Sequence, residues 1–95
     1  MDTFVMLGKY SSQALKSASA ARTRKAEHVI SRGQGKIKTM YALIGEYDLM
    51  LIVEVPSIES AIKISAGLTR LTGISFTSVP AISVNEFDRL ITEIE

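Results

Sequence analysis

The sequence predicts an α+β domain with the element order βαββαβ and a final helix, and three observations carry that expectation. β-rich apolar runs at residues 3–9, 37–44, 49–55 and 74–79 alternate with two longer stretches of helical period. Gly33, Gly35, Pro56, Gly73 and Pro80 fall between those segments rather than inside them. The length of 95 residues, with 46% hydrophobic and 22% charged residues, suits one compact domain spanning residues 1–95. A chain this short hides roughly 60 to 65% of the surface exposed by its unfolded form, so a partner subunit would add stability.

Taken in order, residues 3–9 read as a strand, and Ser11 or Ser12 can cap a helix that meets no Gly or Pro before Gly33. Gly33 and Gly35 stop that helix. Two strands follow at 37–44 and 49–55, joined by Gly45-Glu46-Tyr47-Asp48, a connection short enough for a hairpin. Pro56 closes the second of them. Ser57 then caps a helix to about Thr72, with Glu59 and Lys63 spaced as an i,i+4 pair, and Gly73 ends it. The last strand, 74–79, is expected to stop by Pro80. Ser83 and Glu86 have the spacing of a capping box for a terminal helix carrying Phe87, Leu90, Ile91 and Ile94.

Two βαβ units joined by a hairpin make the split βαβ, or ferredoxin-like, plan: a four-stranded antiparallel sheet with helices on one side. A sheet covered on one face should alternate apolar with polar residues. These strands are apolar on both. Leu49, Leu51, Val53 and Val55 are opposed by Met50 and Ile52, and Val5 and Leu7 by Phe4 and Met6. The second apolar face predicts a homodimer in which two sheets meet, open to further stacking; the alternative is that the terminal helix covers it.

Composition excludes several functions. The absence of cysteine rules out disulfide frameworks and thiol chemistry, and no apolar run approaches the ~20 residues of a membrane span. The beginning of the chain has no basic, small-residue pattern of a secretion signal, so a cytoplasmic setting is expected. Residues 1–45 carry eight Lys or Arg against two acids, and residues 46–95 carry three against eight, giving +6 against −5. Such halves either cancel within one fold, the reading favoured here, or align subunits head to tail. The basic residues scatter around a helix without aromatic neighbours, which argues against nucleic-acid binding.

Few residues invite chemistry. At 100° per residue, the first helix gathers Leu15, Ala18, Ser19, Ala26, Val29 and Ile30 on one stripe, with Arg22 inside it. A guanidinium there either holds an anion in a cavity, pairs with Asp48 or Glu54, or snorkels to the rim. The single histidine, His28, points to the solvent side. One histidine and scattered carboxylates offer no metal spacing, so neither metal nor cofactor is expected. No G-x-S-x-G or P-loop pattern occurs, and Gly33-Gln34-Gly35 follows a helix rather than opening one. In Gly45-Glu46-Tyr47-Asp48, glycine allows positive φ, aspartate bonds backbone donors and tyrosine offers a ring with a hydroxyl. That element is either a register-setting turn or a site at a sheet end, with Tyr10 and Tyr41 nearby. Met6, Met40 and Met50 read as core filling that could also wall an adaptable cavity.

Together Phe4 to Lys9, Arg22, Gly33, the run Tyr41-Ala42-Leu43-Ile44-Gly45-Glu46-Tyr47-Asp48 and Ala81 resemble the GYD-domain family over roughly residues 4–87. The resemblance implies a dimeric α+β barrel, in which two ferredoxin-like sheets face each other. A looser similarity joins Gly45 to Asp48 and Leu68-Thr69-Arg70-Leu71-Thr72-Gly73-Ile74 to the effector domains of leucine-responsive (Lrp/AsnC-type) regulators. There the hairpin region is associated with amino-acid binding between subunits, which would make Gly45, Tyr47 and Asp48 ligand contacts. The present sequence has no helix-turn-helix segment, so direct repression is not implied.

Three functions stay open at this level. The first is a non-enzymatic module holding a small organic anion or amino acid through Arg22, Tyr41, Gly45, Tyr47 and Asp48. The second is a cofactor-independent isomerase or oxygenase of the dimeric barrel type, with Tyr and Asp moving protons. The third is an assembly scaffold with a filled barrel.

Overall fold

A computed structural model of the chain describes residues 1–94; Glu95, the end of the expected domain, lies outside the described residues. The elements are β1 (Asp2–Lys9), α1 (Ser12–Lys16), α2 (Ala20–Arg32), β2 (Lys36–Ala42), β3 (Leu49–Val55), α3 (Ile58–Thr72), β4 (Ser75–Ala81) and α4 (Val84–Ile94). The four strands form one antiparallel sheet in the order β2-β3-β1-β4. α2 and α3 pack side by side against one face. This is the ferredoxin-like arrangement that the strand and helix order implied.

The first helix differs from expectation. It breaks at Ser17-Ala18-Ser19 into α1 and α2, because serine serves as a cap at both ends of the interruption. Ser11 Oγ accepts the Ala14 N–H at 3.0 Å to start α1, and Ser19 Oγ accepts the Arg22 N–H at 3.0 Å to start α2. The break rotates α1 relative to the projected stripe: Ala14 is buried, whereas Leu15 is exposed. At the other end of α2, a Cβ on Gly33 would lie 2.4 Å from Ile64 Cγ1 of α3. Here glycine permits close approach of two helices; the left-handed residue of that turn is Gln34 (φ 63°).

Three strand limits also shift. β2 ends at Ala42, so the connection to β3 is the six-residue loop 43–48. β4 starts at Ser75 and continues through Pro80, which lies opposite Phe4. A proline can stay in this strand because β4 is at the sheet edge, where no neighbour requires its missing N–H. β2 has a register shift between Ile37 and Thr39, with Lys38 unpaired. That extra residue lets Ile37 and Met40 both pack on the core although three positions separate them.

The core lies between the sheet and α2/α3, formed by Phe4, Met6, Ile30, Leu51, Val53, Val55, Ala61, Ile64 and Leu68. The opposite face is bare. Across it, register aligns Tyr41, Met50, Leu7 and Thr77 in one row and Thr39, Ile52, Val5 and Val79 in the next. α4 does not cover this surface: it packs extensively on no other described element, and none of its described side chains is buried. Its apolar residues Phe87, Leu90, Ile91 and Ile94 stay exposed. Glu86 does not complete the capping box by reaching back, since its carboxylate pairs with Arg89, although Ser83 Oγ does accept the Glu86 N–H at 3.1 Å. Likewise Glu59 and Lys63 form no ion pair within 4 Å. Direct cancellation between the charged halves is limited to Lys38 and Glu54, 4.0 Å apart, among the described residues.

Candidate functional site around Arg22, Tyr10 and Asp48

One end of the sheet gathers the chemistry. There β1 stops, β3 and β4 begin, α2 starts and the 43–48 loop closes the hairpin. Asp48 ties these pieces together through both backbone and side chain. Its N–H donates to the Gly8 carbonyl at 2.8 Å, its carbonyl accepts the Leu43 N–H at 2.9 Å, and Oδ2 accepts the Tyr10 N–H at 2.8 Å. The loop therefore holds the exit of β1 as well as its own two strands. Gly45 at the loop tip adopts φ +143°, a conformation that L side chains rarely take, and a Cβ there would meet nothing within 4 Å. Backbone conformation, not space, demands glycine at this position.

With its backbone held by Asp48, Tyr10 presents its ring to Arg22. The guanidinium carbon sits 5.6 Å from the ring centroid, within cation–π range. Arg22 Nη1 also donates to the Ala14 carbonyl, one of the groups left without a helical partner at the end of α1. The same serine that interrupts the helix thus places the arginine that finishes α1. No carboxylate pairs with Arg22 within 4 Å among the described residues, so of the three readings open for it the ion pair with Asp48 or Glu54 is set aside: Asp48 faces Tyr10, and Glu54 faces Lys38.

The half-buried Arg22 borders a cavity of about 60 Å³ between the helices and the sheet, walled by Tyr10, Ala26, Met40, Leu49 and Phe76. That volume holds roughly two water molecules. All of the cavity's walls come from one protomer. Its lining is largely apolar, with Arg22 as the one charged residue; the Thr23 and Thr72 hydroxyls that also border it already donate to the Ser19 and Leu68 carbonyls, so an anion entering it would meet one charge.

The other candidate residues do not converge here. Tyr41 is 56% exposed on the bare sheet face, on the other side of the sheet from the cavity. Tyr47 is half-buried within the 43–48 loop, and His28 is exposed on α2. Met6 fills the core, Met40 walls the cavity and Met50 lies on the bare face. No local pattern signals the Tyr10–Asp48 bond, whose partners are 38 positions apart. The Ser17-Ala18-Ser19 run is the one signal that could have exposed the helix break, and with it the Ala14 acceptor.

The family model for the GYD domain matches residues 4–91. The chain belongs to the GYD-domain family. No curated protein sequence matches this GYD domain. Among solved structures, it is similar to the Mycobacterium tuberculosis leucine response regulatory protein LrpA (TM-score 0.58, 10% identity), covering 86% of this chain and 51% of that one. It also resembles FFRP-DM1 (TM-score 0.55, 21% identity), covering 86% of this chain and 100% of that one. An AsnC family transcriptional regulator from Agrobacterium tumefaciens gives a TM-score of 0.55 at 19% identity, with 86% of this chain and 51% of that one covered. The GYD domain thus spans about half the length of the two regulators. At these identities the likeness establishes a shared ferredoxin-like fold.

Proposed function

We propose that this GYD domain is a homo-oligomeric binding module for a small organic anion, such as an amino acid or another carboxylate, recognised by Arg22. The observation that carries this reading is a half-buried guanidinium, the one charged group at the rim of a largely apolar cavity, with no carboxylate partner among the described residues. Its planar fork offers five N–H donors, and the Ala14 carbonyl occupies only part of that capacity. A carboxylate group fits the cavity, and the remainder of a larger ligand would extend past Tyr10. Asp48 acts by holding Tyr10, while Gly45 and Tyr47 are candidate contacts for the extending part. Tyr41 belongs, in this proposal, to the sheet-to-sheet dimer interface. The similarity to regulator domains supports a regulatory binding role over catalysis, and Asp48 is already engaged with the Tyr10 backbone.

A thermal-melt screen of amino acids and small carboxylates tests the proposal on the wild type and on Arg22→Met. Binding at 100 times Kd adds about 2.7 kcal/mol to stability, a shift easily measured. At least one carboxylate should raise the wild-type midpoint and leave that of Arg22→Met unmoved. Equal shifts in both proteins, or none in either, would overturn the assignment.

A further inference from the structure

α4 is an acidic amphipathic helix with nothing to lie against. Phe87, Leu90, Ile91 and Ile94 form its apolar side, and Glu86, Asp88 and Glu93 outnumber Arg89, which is itself engaged by Glu86 and Glu93. The molecule measures 50 × 30 × 17 Å along its principal axes. An acidic polar side is repelled by anionic lipid, which leaves a protein groove as the natural complement.

Two grooves are large enough to consider. The first, about 690 Å³ between α3 and β4, is lined by Phe4, Ile58, Ile62, Ala66 and Pro80, with Arg70 as its one charged residue. The second, about 520 Å³, has an apolar floor of Ala21, Val29 and Leu71 and is bordered by Arg24, Lys25 and His28. Only the second matches α4 in both respects, apolar floor to apolar side and basic rim to acidic flank. This match pairs the basic first half of one chain with the acidic second half of another.

The chain's own α4 begins far from the second groove. α4 leaves the β4 edge after Ala81, opposite Thr3, whereas the groove is built on α2, which packs toward β2 at the other edge, and on Leu71, just before β4 starts at Ser75 opposite Lys9. The Ile82–Ser83 connection spans about 7 Å, against about 14 Å for three strand spacings and about 20 Å from Ser75 to Ala81 along the strand. From these facts we infer that α4 of one copy docks in the Arg24–Lys25–His28 groove of a second copy. The contact joins two different patches, so it closes either by reciprocal exchange between two chains or as a ring. It is separate from the bare sheet face and independent of ligand binding at Arg22.

Charge reversal in the full chain tests the inference. One variant combines Arg24→Glu with Lys25→Glu; the other combines Asp88→Lys with Glu93→Lys, all at exposed positions. Sedimentation at about 0.05 M and about 0.5 M salt should show wild-type association weakening as the Debye length shortens. Each variant alone should associate about tenfold more weakly than wild type at low salt, with unchanged circular dichroism. Mixing the two should restore association, since the acidic groove of one then meets the basic helix of the other. The inference fails if neither variant changes assembly, if the mixture does not recover, or if only the α4 variant loses association, which would send α4 to the α3–β4 groove or the bare sheet.

Discussion

Asp48 shows how one residue of a loop can organise a site without lining it. Its carboxylate accepts the partly buried Tyr10 N–H, and the Tyr10 ring lies under the Arg22 guanidinium. Asp48→Ala removes that acceptor and leaves the donor unsatisfied, an expected loss of about 1–3 kcal/mol in urea unfolding. Asp48→Asn keeps an acceptor oxygen and should lose less. Equal midpoints for Asp48→Ala and wild type would show that the bond contributes nothing. The type of each residue in this group was visible in the sequence: an aspartate and a glycine in a turn, an arginine inside an apolar stripe. Their connection was not, because a bond across 38 positions leaves no periodic trace. The arginine's partner stayed open for a related reason. A position inside an apolar stripe is compatible with a bound anion, a carboxylate or a path to the rim, while the structure supplies a helix-end carbonyl and an aromatic ring.

Among the elements, those bounded by strong breakers were legible. Leu49–Val55 ends at Pro56, and α3 runs from its Ser57 cap to Gly73, which takes φ 75°. The elements that departed from expectation did so through devices without breakers. Serines interrupt the first helix by capping, a single unpaired Lys38 shifts the phase of β2, and an edge position admits Pro80. The helix break gives a direct test. Ser19→Ala removes the α2 cap, with an expected cost of about 0.5–2 kcal/mol in chemical denaturation. If the variant is as stable as wild type, the cap is not what sets the start of α2.

For the molecule as a whole, apolar residues on both faces of the sheet remain the dominant feature. The helices bury one face, and Val5, Leu7, Met50, Ile52 and Val79 of the other are left without a covering layer. Ile52→Lys places a charge in the middle of that face while leaving the core between sheet and helices untouched. In sedimentation equilibrium at about 0.5 M salt, where the α4 contact is screened, the wild type should be dimeric and Ile52→Lys should shift toward monomer, with the fold retained by circular dichroism. A wild type that stays monomeric at micromolar concentration would remove the sheet-to-sheet dimer. Of this level, the sequence revealed the surplus of apolar strand residues, but not that α4 would stand apart, since amphipathic periodicity does not specify what a helix packs against.

Both outer strands also carry a guard against runaway growth. Pro80 interrupts the donor row of β4, and the irregular Lys36–Lys38 segment of β2 offers charge and a kink where another strand would need a flat template. Fibril-like extension of the sheet from chain to chain is therefore disfavoured on either flank, however sticky its broad surface is. The uncovered apolar area is thereby left to the broad face of the sheet and to the apolar side of α4, not to the strand edges.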